Sequence, residues 1–512
     1  MRKQLPIFYS ALMLTAVNLL LRAVGTSFQV YLSGRIGAAG IGLLQLVMSV
    51  GSLAMVAGMG GIRTAAMYLA AGELGRKKPE NVTRVLSGCF AYSILFSGTV
   101  SLLLYTFAPA ISENWIGDDR TLGAIRLFAG FLPCVCLCGI LTGYFTAANR
   151  IGTLAAIEVA EQLCTMAITL TLLQFRSEKD PAAACEAVIL GSSFGCVLTL
   201  LCLCILRIRE KPRIGPRISI VRPLAKTALP LALADDLKAG ISTLENLMVP
   251  KRLAMNALIA NPLAAFGTVS GMVFPVLMFP ACILFGLAEL LIPELARCAA
   301  ADSRSRIRYL VRRSLKAAML YGLLFCGLMY LTADALCLSL YRNTEAGVFL
   351  KRYALLIPML YCDAITDAMT KGLGQQAACV RYNILTSGLD VVFLYFLLPT
   401  YGMAGYFFSF FITHLLNFGF SLRRLLKISG VKIPFFIPAF GISGCALSIW
   451  FTRFVPQTPL RLAAYPVLLV CLLYLFHVLR PEDFLWLRGL IHKKEPPGLA
   501  GGSACAGIAL VY

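Results

Sequence analysis

Apolar runs of roughly 20 residues recur along almost the whole chain. Short segments rich in Lys, Arg, Pro and Gly separate them. Each run is long enough to cross a hydrocarbon core of about 30 Å as a helix. Alternating segments of about ten residues, the mark of a membrane β-barrel, do not dominate. Fourteen spans are predicted, at about 7–32, 41–66, 85–108, 122–147, 153–175, 183–206, 224–249, 263–292, 311–333, 353–370, 380–399, 402–422, 434–454 and 460–479. Asp363 and Asp367 interrupt the tenth, which is the weakest. The first begins with basic residues, as a secretory signal does. It is long, is broken by Arg22 and lacks a small-residue cleavage site, so it reads as a span. Beyond residue 480 hydropathy falls, and the Pro- and Gly-containing "IHKKEPPGLAGGSACAGIALVY" predicts a loosely ordered tail.

Composition agrees with the pattern. The chain has 512 residues, 59% of them hydrophobic and 14% charged, where a soluble domain carries about a quarter charged. Its mean hydropathy is +0.79. The fold class is an all-α polytopic membrane protein. Most of the 18 Cys lie inside apolar runs such as "FLPCVCLCGIL", where they serve as small hydrophobes, and no disulfide framework is expected.

The net charge of +21 raises nucleic acid as a partner, and the location of the charge argues against it. With the N-terminus inside, 31 Lys and Arg fall in cytoplasmic segments and 12 in outer loops; Arg22, Arg63 and Lys238 lie within spans. That asymmetry predicts an even number of spans with both termini cytoplasmic. The basic "RIREKPRIGPRISIVRPLAK" reads as a cytoplasmic linker between two halves. "RCAAADSRSRIRYLVRRSLK", after span 8, reads either as a surface helix on anionic lipid or as ordinary topology charge.

An internal repeat joins the halves. At an offset of 216, "LRAVGTSFQVYLSGR" (21–35) faces "LKAGISTLENLMVPK" (237–251), so Arg22 meets Lys238, Gln29 meets Glu245 and Arg35 meets Lys251. At 224, "TGYFTAANRIG" faces "TDAMTKGLGQQ". A repeat displaced by six spans keeps its orientation, which relates the halves by an axis along the membrane normal. The expected organisation is a six-helix bundle over 1–206, a linker over 207–223, a second six-helix bundle over 224–424, two additional helices over 425–480 and a cytoplasmic tail over 481–512.

The candidate chemistry sits in the repeat. "LADDLKAGISTLENLMVPKRL" (233–253) places Asp235, Asp236, Lys238 and Glu245 in a span. A charge at mid-bilayer is costly unless it faces a cavity or a partner. Helical spacing brings Asp235, Lys238 and Glu245 near one face. Arg22, with Asn18 at i−4 and Gln29 at i+7, makes a similar stripe on span 1. Two such stripes would line a hydrated cavity, so Arg22, Lys238, Asn18, Gln29, Asp235 and Glu245 are the candidate substrate-binding residues. An internal Asp235–Lys238 pair that merely holds helices together is the competing reading. Glu289, Asp363, Asp367 and Asp390 are candidates for a coupling proton or Na⁺. Glu158 and Glu161 lie near the end of span 5, where solvation or capping serves equally well. His414 reads as a packed histidine. Pro230, Pro275 and Pro280 are candidate kinks.

"NLLLRAVGTSFQVYLSGRIGAAGIGLLQLVMSV" with "AGMGGIRTAAMYLAAGELGRKK" resembles the opening of the stage V sporulation protein B group, part of the multidrug/oligosaccharidyl-lipid/polysaccharide (MOP) exporter superfamily. "STLENLMVPKRL", "FGTVSGMVFPVLMFPACILFGLAELLIPELA" and "LIPMLYCDAITDAMTKGLGQ" resemble its seventh, eighth and tenth spans, and the likeness covers about residues 8–425. It implies two six-helix bundles forming a V around a central cavity, and a bacterial cytoplasmic-membrane flippase for undecaprenyl-pyrophosphate-linked glycans serving cell wall, spore cortex or polysaccharide. Lipid II flippases of this superfamily carry an Arg-x-x-Gly-x-x-Arg-Asp pattern in span 1. Here Arg22 and Gly25 match its first half, while Phe28 and Gln29 replace the second Arg and the Asp. The partners implied are the lipid-linked glycan, membrane lipids and a coupling proton or Na⁺, with no cofactor and no metal. A pyrophosphate needs cations in a low-dielectric cavity, and Arg22 and Lys238 would supply them. The alternatives are a drug/cation antiporter of the same superfamily, which would favour an acidic, aromatic cavity, and a non-transporting spore-envelope assembly protein. An enzyme is disfavoured, because no loop carries a metal-ligand cluster or a nucleotide cradle.

Overall fold

In the computed structural model the described residues are 5–481, apart from 77–78, 149, 176–180, 211–220, 433 and 435. They form helices and short connections. The linker is therefore largely, and the tail after 481 wholly, outside the described residues.

The first six predicted spans lie in α1 (Leu5–Met59), α2 (Ile62–Gly75), α3 (Pro79–Ala110), α4 (Leu122–Ala147), α5 (Ile151–Phe175) and α6 (Pro181–Arg209). The next six lie in α7 (Val221–Leu253), α8 (Pro262–Gly267), α9 (Phe274–Met278), α10 (Ala281–Ala300), α11 (Arg304–Tyr341), α12 (Thr344–Ala354), α13 (Ile357–Gly372), α14 (Gln376–Tyr401) and α15 (Met403–Ser429). The last two are α16 (Phe436–Thr452) and α17 (Thr458–Leu475). Among the described residues eight helices are long and apolar enough to span a membrane, nine with the bent pair 262–278 and 281–300. The other predicted spans fall on helices that are joined, charged, split or short. One continuous stretch holds spans 1 and 2, joined at Gly37, whose φ of 70° breaks the helix. The charged α7, the split α12–α13 and the short α16 and α17 supply the rest. The protein is a multi-pass membrane protein.

The second span of each half is broken. Span 2 breaks at Gly60 and Gly61, both at positive φ, before α2. Span 8 passes through a π-helical stretch, Thr268–Val273, and bends by 63° between α9 and α10, at Pro280. A break orphans carbonyls that lipid cannot satisfy. Tyrosines satisfy them in both halves: Tyr92 of α3 donates to the Gly60 carbonyl at 3.3 Å, and Tyr321 of α11 donates to the Pro280 carbonyl at 2.8 Å. Tyr361 of α13 donates to the Leu277 carbonyl at 3.0 Å.

Neighbour relations repeat as well. α3 packs on α4 as α11 packs on α12 and α13; α5 on α6 as α14 on α15; α4 on α6 as α13 on α15; and α1 on α5 as α7 on α14. At one membrane face Asn81 donates to Glu73 at 2.8 Å, and Arg306 pairs with Glu294 at 3.1 Å, each tying its half's second span to its third. At the same ends Arg150 and Arg207 hold Glu210, while Arg424 holds Gln375.

The halves meet where span 2 crosses α8. Gly42 lies against Leu263, and Gly267 lies against Ala38 and Gly42, so closely that a methyl on either glycine would overlap backbone. The pairs 42/267 and 38/263 are each 225 residues apart, so the crossing is itself two-fold in sequence. Along α7, Thr243 donates to the Ser49 carbonyl and Asn246 to its hydroxyl, each at 3.0 Å. α16 and α17 dock on α11, where the Tyr465 hydroxyl donates to the Leu323 carbonyl at 2.7 Å. The seventeen cysteines among the described residues are free thiols, and most are buried.

The basic segment after span 8 is not a separate surface helix. α10 runs to Ala300, a three-residue turn follows, and the arginines open α11. No Pro or Gly interrupts "RSRIRYLVRRSLK", and its apolar positions Ile307, Leu310 and Val311 are buried against the protein. The helix therefore continues through it.

Candidate functional site

Two groups of polar side chains lie within the apolar spans. The first lies on α1 and α7, which pack against each other. Arg22 is exposed on α1, and its guanidinium carbon lies 5.2 Å from the centroid of the Phe285 ring on α10. It makes no ion pair among the described residues. Asn18 is on the same helix, and its side chain lies outside the described residues. Gln29 does not extend an open stripe; its amide donates to the Gly271 carbonyl at 3.3 Å, inside the π-helical stretch of span 8. A π-turn shifts backbone pairing and frees such a carbonyl. Gln29 thus joins the two halves.

On α7, Asp235 and Lys238 are exposed, and no ion pair joins them. The internal-pair reading is not realised in this structure. Glu245 lies apart from both. Its azimuth is within about 20° of Lys238 and about 80° from Asp235, and ten residues of helix put it about 15 Å along the axis from Asp235. There α14 covers α7, and Glu245 comes within electrostatic reach of Asp390. One helix face thus serves two environments at two depths. Asp236 points elsewhere: its buried Oδ1 has no hydrogen-bond partner, and it lies close enough to Tyr92 to act on it electrostatically.

The second group is buried within the C-terminal half. Asp390 of α14 accepts hydrogen bonds from the Ser409 and Thr413 hydroxyls of α15, the latter at 3.2 Å. Glu245 contributes a buried oxygen, Oε1, that has no hydrogen-bond partner. Tyr406, beside Ser270, is near enough to feel both carboxylates. The buried Tyr353 hydroxyl, also unpartnered, is close to Tyr406 and Asp390. This is an all-oxygen environment of two carboxylates and several hydroxyls, suited to a proton or a hard cation. The sequence indicated Asp390 and Glu245 but assigned them to different roles, and it missed Ser409, Thr413, Tyr406 and Ser270. Their one signal is Ser409 and Thr413 standing four apart on an apolar helix, which puts both hydroxyls on one face.

The other candidates are dispersed. Asp363 accepts from the Asn417 amide at 3.2 and 3.4 Å. Asp367 pairs with Lys371 one turn on, at 2.6 Å. Glu289 is exposed on α10. Glu161 accepts from the Thr199 hydroxyl at 2.7 Å, while Glu158 lies near Arg63. His414 stacks on Phe410, 3.9 Å between centroids, with Nδ1 3.0 Å from the Phe410 carbonyl oxygen. It is a packed histidine.

Comparison with known proteins returns the same group that the span 1, 7, 8 and 10 motifs suggest. Residues 15–176 match the MatE family model. Stage V sporulation protein B of Bacillus subtilis (strain 168) is 23% identical over 403 residues, covering 76% of this chain and 77% of that protein. Among solved structures, the lipid II flippase MurJ in an inward closed conformation superposes with a TM-score of 0.69 at 11% identity, covering 93% of this chain and all of that one. An inward-facing multidrug resistance transporter of the MATE family and MOP superfamily gives 0.64 at 12% identity, covering 82% of this chain and all of that one. A MOP superfamily transporter from Pyrococcus furiosus gives 0.59 at 14%, covering 85% and 96%. The chain has the fold of the MOP exporters.

Proposed function

We propose that this multi-pass protein, built on the MOP exporter fold, is a flippase that carries an undecaprenyl-pyrophosphate-linked glycan across the cytoplasmic membrane of a bacterium by alternating access. The observation that carries the reading is Arg22. It is a permanent cation within an apolar span, exposed on the side that faces α10, with an aromatic ring beside it and no carboxylate paired to it. A guanidinium in a low-dielectric cavity calls for an anion, and its planar fork suits a pyrophosphate better than a point charge does. Lys238, its partner in the repeat, is likewise exposed and unpaired. The two bundles, 1–206 and 224–424, would rock about the α1–α7–α8 contacts. Glu245 and Asp390 would bind the coupling proton or Na⁺ inside the second bundle.

The MatE match raises a second reading, a drug/cation antiporter. Binding separates the two. The purified protein is incubated with an undecaprenyl-pyrophosphate-linked sugar, and retained lipid is counted by native mass spectrometry. The flippase reading predicts retention by wild type and at least roughly tenfold weaker retention by Arg22→Ala, because a charge-assisted hydrogen bond contributes about 1.5–3 kcal/mol. Equal retention by Arg22→Ala, or displacement of the lipid by an organic cation, would favour the antiporter.

A further inference from the structure

Four of the basic residues that open α11, Arg304, Arg306, Arg308 and Arg312, divide into two kinds. Arg306 turns inward and pairs with Glu294 of α10 at 3.1 Å, which fixes the rotation of the helix. Arg304, Arg308 and Arg312 recur every four residues on the opposite side, and all three are exposed. Like charges at this spacing repel one another. Arg304 has a nearby acid, Asp302, at 3.4 Å, although both are more than four-fifths exposed. Arg308 reaches the Arg304 carbonyl oxygen alone, at 3.4 Å, and Arg312 has no hydrogen bond or ion pair among the described residues.

The length of α11 says where these arginines stand. Its 38 residues extend about 57 Å, some 27 Å more than a hydrocarbon core. Its uncharged apolar stretch begins at Ala317. Arg312 lies about 7 Å before that point along the axis and Arg308 about 13 Å. A headgroup band is roughly 5–8 Å deep, so Arg312 stands within it and Arg308 reaches back to it along its apolar stem. Arg304 stands a further turn out.

We propose that Arg308 and Arg312 form a binding site for the phosphate of an anionic phospholipid, in the leaflet that holds the N-terminal end of α11. Two guanidinium forks one turn apart present parallel N–H donors to one phosphodiester, or to two neighbouring ones. Filling the site removes the repulsion along the stripe. The occupant is a lipid and not a soluble anion, because Arg308 and Arg312, the members of this stripe nearer the apolar stretch, lack an acid, while the outermost, Arg304, has one. The site is distinct from Arg22 and its surroundings, and it stands whether or not the transported molecule is a lipid-linked glycan.

The test uses the full-length protein in nanodiscs of phosphatidylcholine alone or mixed with phosphatidylglycerol. Thermal unfolding gives the stability in each, and native mass spectrometry counts retained phosphatidylglycerol. Wild type is expected to unfold at a higher temperature with phosphatidylglycerol, and not to gain the same rise from inorganic phosphate in phosphatidylcholine discs. Arg308→Gln/Arg312→Gln should lose most of that rise and retain fewer anionic lipids. Arg304→Gln should keep the rise, and Arg308→Lys/Arg312→Lys should keep part of it. A full rise in the double Gln variant would overturn the proposal. So would an equal rise from inorganic phosphate, or a loss in Arg304→Gln as large as in the double variant. If the double Gln variant does not fold, the Lys variant decides: a rise and a lipid count equal to wild type would then count against bidentate recognition.

Discussion

Single side chains in this protein separate into those that hold the fold and those it leaves unsatisfied. Asp367 has Lys371, Asp363 has Asn417, Glu161 has Thr199 and His414 has Phe410. Glu245 instead keeps a buried oxygen without a partner beside Asp390. A buried acid left in that state points to an occupant, and the surrounding hydroxyls point to a proton or a hard cation. Glu245→Gln and Asp390→Asn are therefore predicted to abolish substrate movement driven by an imposed Na⁺ or proton gradient while leaving the protein folded. Asp367→Asn is predicted to change stability by no more than about 1 kcal/mol, as expected for a partly exposed pair, and to spare gradient-driven movement. Gradient-driven uptake into proteoliposomes checks all three; unaltered coupling in both Glu245→Gln and Asp390→Asn would remove the ion-site assignment. The sequence showed that these residues are intramembrane acids. It did not show which of them share a site, because that depends on which helix covers α7 at each depth.

At the scale of the element, the hydrophobic runs located the spans well, and the breaks were legible in part. Pro280 was a candidate kink, and span 8 does bend there, whereas α7 passes through Pro230 without interruption. The break at Gly60 and Gly61 gave no comparable signal, since two adjacent glycines inside an apolar run also suit close packing. The tyrosines that satisfy the broken carbonyls come from α3, α11 and α13, and no local pattern ties them to their acceptors. Tyr321→Phe should cost about 1 kcal/mol of stability, because it leaves the Pro280 carbonyl with only the 3.4 Å bond from the Ile283 N–H. Tyr92→Phe should cost less, because its bond to Gly60 is 3.3 Å against 2.8 Å. Thermal unfolding of the two variants in one detergent checks the order, and the reverse order would contradict it. The Gly42–Gly267 crossing makes a second prediction. Gly267→Val inserts a branched side chain where backbone from span 2 already lies, and it should pry the halves apart. A cysteine at Thr243, which packs on Ser49, should then react faster with a water-soluble thiol reagent in a background free of other cysteines. Unchanged reactivity would mean that the crossing does not hold the halves together.

For the whole molecule, the offsets of 216 and 224 were a faint signal, because few identities survive. The contacts are more alike than the residues that make them: an amide on a carboxylate in one half is a guanidinium on a carboxylate in the other. Packing preserves the geometry of a repeat while its chemistry drifts, which is why alignment by residue type recovers so little of it. Exposed aromatics Trp115, Phe175, Tyr401 and Phe454 lie at the far ends of spans 3, 5, 11 and 13, which alternation places on one membrane face. The 31-to-12 charge asymmetry predicts that this is the outer face. In intact cells a single cysteine at Leu258, 93% exposed between spans 7 and 8, should therefore be labelled from outside. One at Arg209, which opens the basic linker, should be labelled after permeabilisation; external labelling at 209 would reverse the topology. The most direct measurement of the central claim is movement of a fluorescent undecaprenyl-pyrophosphate-linked sugar across proteoliposomes containing equal amounts of wild type, Arg22→Ala, Arg22→Lys and Lys238→Ala. The account predicts movement by wild type, none by Arg22→Ala, poor rescue by Arg22→Lys, where a point charge replaces a fork, and a marked loss in Lys238→Ala. Movement at the wild-type rate by both Arg22→Ala and Lys238→Ala would contradict it.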